Sequence, residues 1–175
     1  CEVLMLGAES WVPVSSLPHY MCYHAGTSVD NCNKVYITGG NRDPERSRPT
    51  NKMLCYDSNT KIWKPMANMI RERAGHCMTY VGRHVYVFGG RYTSSSVERY
   101  DIVMDQWTAL TDMPGPGKWA ATCVAVANIV ILIGGDDINI LLFDTEHQTW
   151  KVSDKKLPWK ALYYPCCCVM PQKLS

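Results

Sequence analysis

The chain has 175 residues, and its 18 basic side chains against 16 acidic ones leave a net charge of +2. That near balance gives no general reason to expect nucleic acid or an anionic membrane surface as a partner, and no run approaches the roughly 18 consecutive apolar residues of a membrane-crossing helix. The opening residues, CEVLMLGAESW, lack the charged start and cleavage site of a signal peptide, so a cytoplasmic protein that meets no membrane is expected.

Read in chain order, the elements repeat. Leu4 stands seven residues before Trp11, so 1–18 is read as the outer strands of a unit that begins upstream, and the chain as a piece of a longer protein. HAGTSV (24–29) precedes VYITGG (35–40), which is followed by Tyr56-Asp57 and Trp63. RAGHCM (73–78) precedes VYVFGG (85–90), followed by Tyr100-Asp101 and Trp107. WAATCV (119–124) precedes VILIGG (130–135), followed by Phe143-Asp144 and Trp150. The aromatic-to-Trp step is seven residues every time, and the period of about 45 to 50 residues is that of propeller blades. Alternation and turn signals divide each repeat into four short antiparallel strands, in the second repeat near 74–80, 84–88, 96–100 and 106–110.

These residues have physical tasks. Tyr56, Tyr100 and Phe143 share a strand face with Leu54, Glu98 and Leu141, a mostly apolar face that packs on a neighbouring blade, with Trp63, Trp107 and Trp150 on the next strand beside it. Burying about 200 Å² of aromatic surface contributes on the order of 5 kcal/mol per Trp as an upper bound. The pairs Gly39-Gly40, Gly89-Gly90 and Gly134-Gly135 end a tightly packed strand, where a positive φ or a close backbone approach excludes a side chain.

Gly-Gly after a β-branched strand, then Tyr-Asp, then Trp seven residues on, resembles the kelch repeat over nearly the whole chain; the Trp-Asp pair of WD40 repeats is absent. Phe143 departs from the pattern by losing a hydroxyl, and Leu4 departs further. The expected fold is all-β: a kelch-type propeller segment with outer strands over 1–18, blades over 19–67, 68–114 and 115–158, and a tail over 159–175. The resemblance implies that about 161–170 is a strand closing a ring whose other blades lie upstream.

Little suggests catalysis. The five histidines fall at different repeat positions, and no H-E-x-x-H, Gly-x-Ser-x-Gly or phosphate loop is present. Nine cysteines are many, but none has C-x-x-C or Cys/His ligand spacing, so reduced thiols acting as small hydrophobes are expected, with no metal and no cofactor. Cys22, in a loop near His24, is the best candidate for a redox-sensitive thiol. A kelch-like copper oxidase shows that such a propeller can carry chemistry, but no matching set of Tyr, His and Cys ligands is recognisable.

Repeat variation favours binding. The gap from the second glycine to the aromatic is 16, 10 and 8 residues, so insertions gather after Gly-Gly, and variable loops on one face mark a binding face. Those loops, with the lead-ins MCYH (21–24), IRER (70–73) and GKW (117–119), carry a mixed charge with a modest basic excess. The candidate partner-binding residues are Asn41, Arg42, Arg71, Arg91, Tyr92, Lys118 and Asp136. Arg71 stands out because kelch substrate adaptors place arginines just before the first strand to contact acidic segments; its counterparts are read as Cys22 and Gly117. The resemblance implies a BTB-kelch adaptor that presents substrates to a cullin ubiquitin ligase through a part outside this chain, with no nucleic acid or membrane partner. The alternatives are an actin-binding kelch protein and a propeller oxidase.

Overall fold

The computed structural model describes residues 1–3, 9–29, 33–43, 48–93, 95–159 and 162–168, in which every regular element is a strand. Two short strands, β1 (Glu2–Val3) and β2 (Val12–Pro13), form a two-stranded sheet, and Leu4 of the expected partial repeat lies outside the described residues. Three four-stranded antiparallel meanders follow. The first is β3 (Ala25–Val29), β4 (Lys34–Thr38), β5 (Met53–Asp57) and β6 (Ile62–Met66). The second is β7 (Cys77–Val81), β8 (His84–Phe88), β9 (Val97–Asp101) and β10 (Gln106–Ala109). The third is β11 (Ala121–Val126), β12 (Ile129–Gly134), β13 (Asn139–Asp144) and β14 (Thr149–Lys156).

The seven-residue step is a hairpin register. It places Tyr56 opposite Trp63, Tyr100 opposite Trp107 and Phe143 opposite Trp150, with ring centroids 5.1, 5.1 and 4.6 Å apart. The aspartate after each aromatic closes the turn: Asp57, Asp101 and Asp144 each accept, through Oδ1, the N–H groups two and three residues on. Lys61, Asp105 and Gln148 then take a positive φ and return the chain to the sheet. Each tryptophan also reaches outside its own sheet. The indole N–H of Trp63 donates to Ser15 O (3.0 Å), that of Trp107 to Ala67 O (2.9 Å) and that of Trp150 to Thr111 O (3.3 Å), so each repeat is pinned to the linker that precedes it.

Two apolar clusters lie between the meanders. Tyr36, Met53 and Cys55 of the first pack on Val85, Val87 and Tyr100 of the second; Cys77, Tyr86 and Phe88 of the second pack on Leu132, Leu141 and Phe143 of the third. The aromatic face of the second repeat therefore covers the first, and that of the third covers the second, the face that alternation assigned to this task.

The first strand of the second repeat begins at Cys77, three residues later than the pattern suggested, because the lead-in is committed elsewhere. Tyr23, Gly75, Ala120 and Tyr164 all have positive φ (57, 64, 54 and 53°), and they bond in series: Gly75 N–H to Tyr23 O, Ala120 N–H to Gly75 O and Tyr164 N–H to Ala120 O, at 2.7–2.8 Å. This belt sets the true equivalence of the repeats. His24 corresponds to His76 and Ala121, so the apparent match of HAGTSV with RAGHCM and WAATCV is out of register, a consequence of small residues recurring at unrelated positions. The stretch expected as a closing strand forms no regular strand over its described part, 162–168. Leu162 makes an isolated bridge with Gly135, and Tyr164 takes the belt conformation, which leads directly into Pro165, a residue with no N–H to give a ladder.

The glycine pairs meet this belt. The N–H groups of Gly40, Gly90 and Gly135 donate to the carbonyls of Arg73, Lys118 and Leu162, each in the next lead-in, at 2.7, 2.9 and 2.8 Å. At Gly39, with φ at 62°, an added Cβ would lie 2.5 Å from Arg73 O. A side chain there excludes the next repeat.

One of these lead-in residues also carries a buried charge. Arg73 is fully buried, its Nη2 2.8 Å from Glu98 Oε1, and its Nη1 donates to Gly89 O (2.6 Å) and Ser96 O (3.0 Å). Glu98 accepts the backbone N–H groups of Ile70 (2.7 Å) and Arg71 (3.1 Å) as well. Glu98 occupies the strand position held by Leu54 and Leu141 in the sister repeats, and the belt register pairs Arg73 with Met21. Burial pulls the Arg73 guanidinium below its usual value, and Glu98 pulls it back toward the charged form. Nearby, Thr38 Oγ1 lies 2.8 Å from Nε2 of the buried His76, whose pKa is held down to about 3, first by burial and then by the charges of Arg73 and His24.

Three outcomes are expected from this packing. Glu98→Leu alone should destabilise by about 3–5 kcal/mol by stranding the buried guanidinium, whereas the double change Arg73→Met, Glu98→Leu, which copies the first repeat, should recover most of that loss in denaturant melts. Gly39→Ala should destabilise by at least about 1–3 kcal/mol, read as a lowered melting temperature. Unfolded His76 takes up a proton near pH 6.5 while the folded residue stays neutral to about 3. Stability should therefore fall as pH drops from about 6.5 to 4, at about 1.4 kcal/mol per pH unit for this group, and His76→Gln should flatten that limb of the profile.

Candidate protein-binding face

The belt, the lead-ins and the loops after each glycine pair meet at one end of the sheets. Tyr23, Asn41, Ala74, Gly75, Arg91, Trp119 and Tyr164 line a cavity of about 530 Å³ there, drawing on all three meanders and the C-terminal stretch. The rings form a connected set: Tyr23 stacks on Tyr164 with centroids 5.9 Å apart, and Trp119 lies 6.1 Å from Tyr164 and 5.3 Å from Tyr163. Trp119 also rests against Gly75, where an added Cβ would stand 2.7 Å from its Nε1.

The residues expected to meet a partner separate into four situations. Asn41 and Arg91 line this central cavity. Arg42 lies beside a neighbouring cavity of about 510 Å³ with Asp43, Arg48, Thr50, Lys52 and Glu72. Arg71 is exposed on the connection just before Arg73, and its backbone N–H bonded to Glu98 fixes its place. Tyr92 is 71% exposed, with the Arg91 guanidinium 5.1 Å above its ring, and exposed Asp136 accepts from the Tyr163 hydroxyl at 3.1 Å.

Lys118 requires a correction. It is 1% exposed, its Nζ ion-pairs with Asp137 and donates to Asn139 O at 2.8 Å, so it stands under the face and meets no partner directly. Burial pushes the Asp137 carboxyl up, but the hydrogen bond and charge of Lys118 outweigh it and hold the group below its ordinary value. Lys118 thus repeats the position and role of Arg73, a lead-in cation holding its own repeat from within. The counterparts of Arg71 change with the same register, to His19 and Pro116. Arg73, one of the rim arginines by sequence, is interior for the reason given above.

Sequence reasoning passed over Tyr23, Trp119 and Tyr164 as site residues. Each sits in or beside a lead-in, but the shared feature is the positive φ of the belt beneath them, and only Gly75 among the four belt residues advertises that conformation. Cys22 is partly buried and its thiol donates to Asn41 O at 3.8 Å. Among the described residues no three His, Cys, Asp or Glu side chains converge as a metal would require, and no helix is long and apolar enough to cross a membrane.

Comparison with known proteins agrees with this geometry. The chain is similar to Kelch domain-containing protein 7A of Mus musculus (29% identity, covering 81% of this chain and 18% of that protein). It is also similar to Kelch-like protein 36 of Bos taurus (27%, covering 95% and 29%) and of Mus musculus (31%, covering 81% and 25%). The chain therefore spans less than a third of the length of these relatives. The solved structure of YjhT superposes with a TM-score of 0.75 at 16% identity, over 90% of this chain and 59% of that one, which speaks to the fold alone. The KLHDC2/KLHL20/DRC7 kelch-repeats domain matches residues 6–174, and with its three four-stranded meanders the chain belongs to that kelch-repeat family.

Proposed function

We propose that this domain is the substrate-recognition part of a BTB-kelch adaptor, holding a carboxylate-bearing segment of a partner protein on the loop face while a part outside this chain engages a cullin ubiquitin ligase in the cytoplasm. The observation that carries the reading is the convergence of loops and lead-ins from successive repeats on one cavity with Arg91 in its lining, while Arg42 and Arg71 are exposed on a loop and a lead-in of their own. The names of the Kelch-like relatives support a protein-binding role of this kind. Arginine suits the task because its planar fork gives two parallel hydrogen bonds to a carboxylate, worth about 1.5–3 kcal/mol where desolvated and much less at an open rim.

The test starts from proteins captured by the full-length protein and identified by mass spectrometry, whose bound segment is then titrated by calorimetry. Arg71→Ala should weaken binding tenfold or more with an unchanged melting temperature, and Lys61→Ala, in the β5–β6 turn, should leave binding intact. Lys118→Ala should lower the melting temperature, in keeping with its interior pair. Equal binding by the Arg71 and Lys61 variants would overturn the assignment of this face.

A further inference from the structure

One contact between repeats brings two thiols together. The belt bonds fix the offset of neighbouring first strands, so the residue two places after a belt residue meets the residue three places after the next one. In the first such meeting Ala25 and Met78 share an apolar cluster. In the last, Thr122 Oγ1 stands 3.4 Å from Cys167 Sγ. Between them the same positions hold Cys77 of β7 and Cys123 of β11, reached from Gly75 and Ala120, whose backbones are bonded at 2.8 Å. Both lie in the apolar interface of the second and third repeats, with Cys77 7% exposed and Cys123 only partly buried. A hydrogen bond with the Cys77 thiol, and then burial, push the Cys123 thiol well above its usual value. Cys77 also donates to Phe88 O at 3.9 Å, a contact too long to hold its sulfur against a new bond.

We infer that Cys77 and Cys123 are an oxidisable pair, a modification site at which a peroxide closes a disulfide between the first strands of the second and third repeats. Cys123 is the more exposed partner and meets the oxidant. Its thiolate attacks one peroxide oxygen, the O–O bond breaks, and hydroxide leaves with Cys123 as the sulfenic acid. The Cys77 sulfur then attacks the Cys123 sulfur, the S–O bond breaks, and water leaves as the S–S bond forms. Two thiols are oxidised to one disulfide, and one peroxide is reduced to two waters. Because the attacking species is the thiolate and Cys123 stays protonated at neutral pH, closure is slow there and its rate rises about tenfold per pH unit. The bonded strands leave the belt at Gly75 and Ala120, so the disulfide clamps the two lead-ins that wall the central cavity at Ala74, Gly75 and Trp119. Oxidation thereby stiffens the loop face without altering any loop residue. None of this depends on what the loop face binds.

The experiment treats the full-length protein with hydrogen peroxide at about pH 8, unfolds it, alkylates the remaining thiols and maps its peptides without reduction. A Cys77–Cys123 linked peptide is expected, with a melting temperature raised by about 5 °C or more, both reversed by dithiothreitol. Amide hydrogen exchange at Ala120, whose N–H bonds to Gly75 O, should slow on oxidation. Cys77→Ala, which copies Ala25 of the first repeat and so keeps the fold, should abolish all three responses. Cys22→Ser, outside this interface with its thiol on Asn41 O, should keep them. The inference is overturned by recovery of Cys77 and Cys123 alkylated, or as sulfinic acids, after a treatment that oxidises the exposed Cys166 and Cys168. Linkage of Cys123 to Cys167 instead, or an equal rise in melting temperature for Cys77→Ala, would overturn it as well. Each of these results leaves the role of the loop face standing.

Discussion

A row of backbone hydrogen bonds at positive φ organises this protein. Tyr23, Gly75, Ala120 and Tyr164 each turn the chain into the left-handed region and link to the residue one repeat away. A side chain at such a position is strained by about 1 kcal/mol or more, and the strain persists because every partner along the row is itself fixed by a sheet. The second glycine of each pair completes the arrangement by donating to the lead-in carbonyl two residues earlier in the following repeat. Because both sets of bonds run between repeats, each repeat is positioned by its neighbours and not only by its own ladder, as repeat architectures require.

The belt also explains where stability and recognition divide. Directly beneath it, Arg73 and Lys118 turn inward and hold acceptors of their own repeats, Glu98 with Gly89 and Ser96 in one case and Asp137 with Asn139 in the other. The corresponding positions elsewhere, Met21 and Leu162, are apolar. A buried cation is tolerated where carbonyls and a carboxylate surround it, so these substitutions change the chemistry of the interior without changing the backbone. Next to them Arg71 stays outside. Two residues along one lead-in thus separate a structural arginine from an exposed one.

On the other side of the belt the same geometry creates the central cavity. Turning the lead-ins to positive φ brings Tyr23, Trp119 and Tyr164 from separate repeats into one aromatic set, and the bridge between Cys22 and Asn41 places the Asn41 amide against it. Rigid scaffold and variable loops meet there, an economical way for a repeat protein to acquire a partner without altering its core.

Much of the fold was legible in the sequence. The seven-residue step from Tyr56, Tyr100 and Phe143 to their tryptophans is a hairpin register, and the Gly-Gly pairs mark strands that end against another backbone; both depend on local pattern, so the residue order alone is enough. The exposed arginines Arg42 and Arg71 were legible too, since loop length varies where the sheets do not constrain it. The sequence by itself determined strands, turns and which face of each sheet is apolar, because alternation and turn chemistry are properties of neighbouring residues. Only the tertiary structure decided that Arg73 and Lys118 are interior, that Tyr23, Trp119 and Tyr164 share a cavity, and that His76, not Arg73, is the counterpart of His24. The first turns on side-chain contacts inside one repeat, Arg73 with Glu98 and Lys118 with Asp137, that local pattern does not reveal; the other two turn on contacts between repeats, and a positive φ adopted by tyrosine or alanine leaves no mark in the residue type.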